Sequence, residues 1–185
     1  MPRKLVIAIS GQVGAGKTTY AKRLAEEFNL KYVSSGMLFR KIAEEMGVSL
    51  LQLHEMAEKD PKYDLMIDKN AIKVAKEGNV VVEGHLAAWV LADIADIKVL
   101  LIAPLNVRAE RLAQRDGKSF KKSLQEIRKR EESNRKRCLK YYGKDTKDWS
   151  IFNLIIDTSK LSIDGVYRIL REYVRTYIEE HEEER

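Results

Sequence analysis

VIAISGQVGAGKTTY, residues 6–20, is the stretch on which the reading of this chain turns. An apolar, β-rich run from Leu5 to Ile9 breaks at Ser10-Gly11 and passes through Gly11-x4-Gly16-Lys17-Thr18 into a helical pattern. Strand, glycine-rich loop and helix in this register are the context of a phosphate-binding loop. Gly11, Gly14 and Gly16 let successive backbone N–H groups turn inward around an anion. The helix that starts near Lys17 points its positive end at the same place. Lys17 adds a mobile cation for terminal phosphates, and the Thr18 hydroxyl is a hard oxygen suited to Mg²⁺. A chance glycine turn would have no reason to fall between a strand and a helix.

The 185 residues, 44% of them hydrophobic, suffice for one α/β domain with a full core. No run of about 18 apolar residues and no signal-peptide pattern is found, so a soluble, cytoplasmic protein is expected. The single cysteine, Cys138, excludes an internal disulfide and a cysteine-based metal cluster. The net charge of +6 is concentrated between Lys98 and Lys147, where 16 basic residues face 6 acidic ones. One basic segment suits focusing of polyphosphates as well as binding of RNA. The 34% of charged residues, with one Cys and few Gln, leans towards a heat-adapted source.

Beyond the loop, Ala21, Leu24, Ala25 and Phe28 keep helical spacing, and Lys31 to Val33 reads as a short strand. Ser34-Ser35-Gly36 opens a helix carrying Phe39 and Arg40, whose guanidinium fork matches a phosphate. Met46 to Lys76 reads as two or three short helices, a helical insertion able to close over a substrate. His54, Asp64, Asp68 and Lys69 are its polar candidates, although each taken singly fits a solvated helix position. Asn79 to Gly84 is a buried strand ending in Glu83, and ligands gather at strand carboxyl ends. Glu83 would hold Mg²⁺ through water or pair with a lysine. Trp89 follows in a short helix and suits packing.

Ile97 to Ala103 is the most apolar strand, expected beside the first or at the centre. The next helix brings Arg108, Arg111 and Arg115 onto neighbouring positions, read either as a solvated face or as a polyphosphate clamp. Lys118 to Tyr142 is long and polar; its apolar positions run out, so it should lie across something without burying a full stripe. Arg130, Asn134 and Arg137 share one of its faces, Arg128 and Arg135 another. Asn153 to Asp157 is the fifth strand, and Ile163 to Ile178 a packing helix before the charged tail HEEER.

Five strands alternating with helices behind a phosphate loop imply an α/β fold, a three-layer P-loop NTPase with a five-stranded parallel sheet and helices on both faces. The expected organisation is one domain over 1–185: a core of 1–35, 79–107 and 150–185, a helical acceptor-binding insertion at 36–78, and a short arginine-rich lid at 108–149. ISGQVGAGKTT, SSGMLFRKIAEEMG, AEKDPKYDLMID, VVEGHLAAW, RAERLAQRDGKS and KREESNRKRCLKYYGKD together resemble the nucleoside monophosphate kinases, most closely the archaeal type of cytidylate kinase. The resemblance spans nearly the whole chain. It implies transfer of the γ-phosphoryl group of ATP to CMP and dCMP, in pyrimidine nucleotide metabolism, with Mg²⁺ as cofactor.

By that resemblance Gly11, Gln12, Val13, Gly14, Ala15, Gly16, Lys17, Thr18 and Thr19 bind ATP. Arg40 holds the acceptor phosphate with Ser35, Gly36 and Arg111 beside it, and the catalytic cations are Lys17, Arg115, Arg130 and Arg137. Thr18 is the direct Mg²⁺ ligand, with Glu83 acting through water. Cytosine carries a donor amino group beside acceptors, so Asp68 or Asp64 would select it. Two departures from the family pattern, Cys138 in place of an aromatic and Asn153 in place of an aspartate, bear on the lid's geometry. The acceptor phosphate, with a second pKa of about 6, is already ionised at neutral pH, so no general base is required. Catalysis then rests on positioning and charge neutralisation. A monomer using small nucleotides, with no membrane or nucleic-acid partner, is expected. The rivals are an adenylate or small-metabolite kinase on the same fold and an RNA-binding or polynucleotide kinase. A GTP-dependent switch lacks its N/T-K-x-D guanine motif.

Overall fold

The apolar run near the N-terminus forms β1 (Val6–Gly11), whose six residues are all buried. A continuous rather than alternating apolar pattern is what a parallel strand covered on both faces requires. In the computed structural model, which describes residues 4–181, β1 lies at the centre of a five-stranded sheet. β3 (Val80–Glu83) pairs with it on one side and β4 (Ile97–Ile102) on the other, with β2 (Lys31–Ser34) outside β3 and β5 (Leu154–Asp157) outside β4. Every pairing is parallel, and the order is β2-β3-β1-β4-β5. The tail beyond His181 lies outside the described residues.

The two faces of the sheet carry separate cores. Ile7 and Ile9 point to α1 (Lys17–Glu27) and α8 (Ile163–Glu180), where they meet Leu24, Val166 and Leu170. Ile9, Leu24 and Leu170 are fully buried, each worth about 1.5–3 kcal/mol of apolar transfer. Val6 and Ala8 point the other way, to Ala71 and Ala75 of α4 (Lys62–Glu77) and to α5 (Ala87–Val90). Trp89 packs edge-on against Phe152 with ring centroids 5.1 Å apart, a core role.

α2 (Ser35–Glu45), α3 (Leu50–Lys59) and α4 gather a third cluster of their own around Phe39, Leu53, Ala57, Tyr63 and Ile67. The segment between β2 and β3 is thus three helices, two of which fill the stretch after Met46. α3 opens on a capping box: Ser49 accepts from the Gln52 amide, and the Gln52 side chain accepts from the Ser49 amide.

α6 (Leu105–Asp116) and α7 (Phe120–Tyr142) form a hairpin joined by three residues. The sequence predicts that α7 has no full stripe to bury. It does bury one, but a polar one: Ser123, Glu126, Ser133, Asn134 and Arg137 are all buried. Side chains of α7 reach main-chain carbonyls of α3: Tyr141 Oη donates to Ala57 O (2.6 Å), Lys140 Nζ to Glu58 O (2.8 Å) and Ser133 Oγ to His54 O (3.4 Å). Ala57 and Glu58 lie in the last turn of α3, whose carbonyls lack intrahelical partners. Tyr141 and Lys140 thus meet the carbonyl end of α3, while Glu126 is met by Lys118 and Arg130, and Arg137 by Asn134 and Asp64.

The departure at Asn153 does not touch this hairpin. Its Oδ1 accepts from Lys98 N (2.8 Å) and ties the start of β4 to the approach to β5. Cys138 is buried within α7, and burial pushes its thiol up to about 11. Among the described residues no helix is long and apolar enough to cross a membrane.

Candidate active site

The register of the sheet assembles the site's floor. Ser34 of β2 and Ile9 of β1 both stand opposite Glu83 of β3, so the three carboxyl ends lie side by side. The chain leaves β1 through a loop fixed by Gln12 N to Leu101 O (3.1 Å) and Ala15 N to Gln12 O (3.1 Å). Gly14 has φ +84°, and a Cβ there would stand 2.8 Å from Arg108 O. Gly11 runs so close to β4 that a Cβ would stand 2.6 Å from Leu101 O. Glycine at these positions answers a steric demand of the loop's neighbours as well as backbone freedom.

Lys17 Nζ folds over the loop and donates to Gly11 O (2.9 Å) and Gln12 O (3.1 Å). Burial lowers its pKa to about 8, opposed by the charge of Glu83. Among the described residues Glu83 is in no ion pair with a lysine, although its charge is felt at Lys17. Its Oε1 accepts from Ser34 Oγ (2.5 Å), Tyr32 Oη (3.0 Å) and Thr18 Oγ1 (3.1 Å). Burial and this carboxylate push the Tyr32 phenol up to about 12, so it stays a donor. Thr18 and Glu83 together present a hydroxyl and a carboxylate, both hard oxygens that fit Mg²⁺. Among the described residues no group of three His, Cys, Asp or Glu forms a metal cage. Mg²⁺ characteristically takes one or two protein oxygens and completes its shell with phosphates and water, so this sparse donor set suits it.

Two cavities adjoin here. The loop-side cavity is wrapped by the loop from Gly14 to Tyr20 and walled by Arg111, Arg115 and Ile163. The second is lined by Ser35, Phe39, His54, Asp64, Asp68 and Arg137. Val13, Lys17, Gly36, Arg40, Glu83 and Arg130 line both. The common wall thus carries three cations and one acid. Arg130 pairs with Glu126 at 3.3 Å, while its Nε is buried without a partner. Burial, then the charges of Arg40 and Arg115, lower its pKa to about 10. Cations that repel one another across a cavity are relieved by a bound polyanion, and such preorganised charge is strong in a water-poor cleft.

In the second cavity Arg137 is held by Asp64 in a buried ion pair. It also donates to Asn134 Oδ1 (2.5 Å), lies 3.3 Å from His54 Nδ1, and sits over the Phe39 ring. Burial, reinforced by Arg137, drives His54 down to about 2, so it is neutral and its Nδ1 accepts. Asp64 Oδ2 and Arg137 Nε are buried without partners. Asp68 receives a hydrogen bond from Tyr142 Oη. Burial, then the charge of Asp64, push its carboxyl up to about 7.

Several sequence assignments shift. Arg108 is no part of a clamp: it is buried and donates to Ala103 O (2.8 Å), Val13 O (3.0 Å) and Glu131 Oε1 (2.7 Å). Arg111 lines the loop-side cavity and not the second one, donating to Thr158 Oγ1 (2.9 Å) and Thr158 O (2.8 Å). Arg137 lines the second cavity and not the loop-side one. Gly11 and Gln12 do not line the loop-side cavity; Gln12 Oε1 accepts from Ala103 N. Arg115 lines the loop-side cavity while paired with Asp116 at 2.7 Å. Arg135 is engaged by Asp145, and Lys69 lines neither cavity.

Sequence reasoning missed His85, which lines the second cavity and has a buried Nδ1 without a partner. Burial and the nearby charge of Lys17 keep it neutral. Its signal was its place two residues past Glu83, at the carboxyl end of a strand. Tyr32 and Thr158 also gave no pattern, since each acts through a contact across the sheet.

A family model described as the cytidylate kinase-like family matches residues 6–160. A curated cytidylate kinase from Pyrobaculum islandicum is 50% identical over 174 residues, covering 94% of this chain and 95% of its own. One from Staphylothermus marinus is 47% identical, covering 95% of this chain and 99% of its own. Among solved structures, an uncharacterised protein from Eubacterium ventriosum superposes with TM-score 0.71 at 22% identity, covering 93% of this chain and 99% of that one. The shikimate kinase from Bacteroides thetaiotaomicron gives 0.60 at 18% identity, covering 94% and 99%. These two likenesses bear on the fold alone.

Proposed function

The chain belongs to the cytidylate kinase-like family, and we propose on that premise that it transfers the γ-phosphoryl group of ATP to CMP and dCMP, giving ADP and CDP or dCDP. The observation that carries this reading is the wall of Lys17, Arg40 and Arg130 common to two adjoining cavities. A donor phosphate cradled by the loop and an acceptor phosphate beside Arg40 meet there, in line, without a covalent enzyme intermediate.

In this reading Gly14 to Thr19 hold the donor's phosphates by backbone N–H groups, and Lys17 leaves its two carbonyls to follow the charge of the moving phosphoryl group. Arg130 neutralises the equatorial oxygens, with Arg115 and Arg111 on the donor side. Mg²⁺ bound by Thr18, with Glu83 through water, would supply further neutralisation of the donor phosphates. Ser35, Gly36 and Arg40 place the acceptor's phosphate, which brings its own negative charge and needs no base. Asp64 Oδ2 and Arg137 Nε, buried without partners, match the amino donor and the ring acceptors of cytosine, and Asp68 stands beside them. The insertion at 36–78 and the arginine segment at 108–149 close over the two nucleotides and exclude water, which would otherwise take the phosphoryl group. All these residues belong to one chain, as a monomer requires.

Incubation with γ-labelled ATP and unlabelled CMP tests direct transfer. The label is expected in CDP, with none retained on the protein. Label on the protein that chases into CDP would overturn the single-displacement scheme.

A further inference from the structure

We propose that Glu131, together with Arg108, is a positioning residue that registers the phosphate-facing side of α7 against the phosphate loop; this rests on the phosphotransferase reading above. Both polar groups of Val13 are engaged by the α6–α7 hairpin. Its N–H donates to Glu131 Oε1 (3.1 Å), and its carbonyl accepts from Arg108 Nη1 (3.0 Å). The same Nη1 donates to Glu131 Oε1 (2.7 Å), which closes a ring of hydrogen bonds through Val13, Arg108 and Glu131. Arg108 Nε, donating to Ala103 O, fixes the guanidinium plane. The Arg108 side chain is 5% exposed and that of Glu131 27%. Under the ring, Val13 packs on Ala109, Leu112 and Ile127, so apolar contact and charge hold the same residue.

What this ring positions makes it more than a structural ion pair. Val13 is one of the residues common to both cavities, and Arg130, the cation on their shared wall, is the residue next to Glu131. Neighbouring residues of one helix thus hold the loop and face the transferred group. The α7 backbone that carries Arg130 cannot move away from the loop without breaking the Val13 bond. Arg130 stands among cations that repel it, Arg40 and Arg115, and the ring holds the base of its side chain at the cleft against that repulsion. Carboxylate bonds to an amide and a guanidinium are charge-assisted and geometrically specific, and misplacement of about 1 Å can cost about 10²-fold in rate.

The test uses the full-length chain carrying Glu131→Ala or Glu131→Gln, with Glu132→Gln as control, since the exposed Glu132 pairs with Lys136 on its own helix. Glu131→Ala is expected to lower kcat by roughly 10- to 100-fold. KM for ATP and Kd for a non-hydrolysable ATP analogue should rise about tenfold, while Kd for CMP by calorimetry changes by less than about twofold. Glu131→Gln keeps an acceptor oxygen for Val13 and should fall between, and Glu132→Gln should match the parent. Unchanged kcat and ATP affinity in a folded Glu131→Ala would overturn the proposal. So would an equal loss of CMP affinity, or a lowered thermal midpoint with parental kinetics. Should the alanine variant not fold, Glu131→Gln decides by the same split between ATP and CMP. A parent protein that turns over no CMP would defeat the phosphotransferase reading instead, and the ring would then be judged by affinity for the ATP analogue.

Discussion

Lys17→Met is expected to lower kcat by roughly 10³-fold or more, with the thermal midpoint unchanged or slightly raised. Loss of one preorganised donor to a developing anion costs about 10²–10³. Lys17 lines both cavities and, alone among their shared cations, rests on main-chain carbonyls rather than on an acid or in solvent. No other charged side chain on the shared wall springs from the loop itself, so none replaces it. The stability half follows from its pKa, lowered to about 8. A lysine harder to charge in the folded state than in the unfolded chain subtracts stability below pH 8, and the deficit fades as pH rises from about 8 to above 10. Methionine removes that deficit at neutral pH. Activity assays beside thermal melts at pH 7 measure both; kcat within tenfold of the parent would contradict the assignment.

Asp64→Ala is expected to destabilise the protein by about 3–5 kcal/mol, because it strands the Arg137 guanidinium in a buried site. For a chain of this size that corresponds to about 6–20 °C in thermal midpoint. The neighbours cannot take over: His54 is held neutral, and Asn134 offers only an amide oxygen. The double variant Asp64→Val with Arg137→Met should recover most of the loss, as an apolar pair of similar bulk often does, yet both variants should raise KM for CMP far more than KM for ATP. Calorimetric melts and two-substrate kinetics decide. A loss below about 1 kcal/mol would show the pair to be solvent-screened, and parental CMP kinetics in the double variant would remove it from base recognition.

Local pattern carried the parts of the fold that depend on local pattern. The buried run of β1, the glycines and the helix behind them are contiguous, so one stretch of sequence specifies loop, floor and helix. The place of β4 beside β1 followed because the most apolar strands are those covered on both faces. Arg40, Arg130 and Lys17 were read as phosphate-facing cations, and the structure brings all three to one wall. The arginines of α6 were not separable by spacing. Positions 108, 111 and 115 share a helical face, yet Arg108 turns under the loop and Arg111 onto Thr158, choices set by β4 and β5, far away in sequence. Arg137 shares a face with Arg130 but sits two turns further along α7 and lines only the second of the two cavities. The polar stripe of α7 was illegible for a similar reason: its partners, Asp64 of α4 and the main chain of α3, lie far away in sequence.

The central claim is that one cleft joins a loop-bound ATP to a cytidine monophosphate. A coupled assay of ADP release with Mg-ATP and, in turn, CMP, dCMP, UMP, AMP and GMP tests it most directly. Selective turnover with CMP and dCMP is the result this account predicts. Turnover with none of the five while ATP still binds, or preference for AMP, would contradict it.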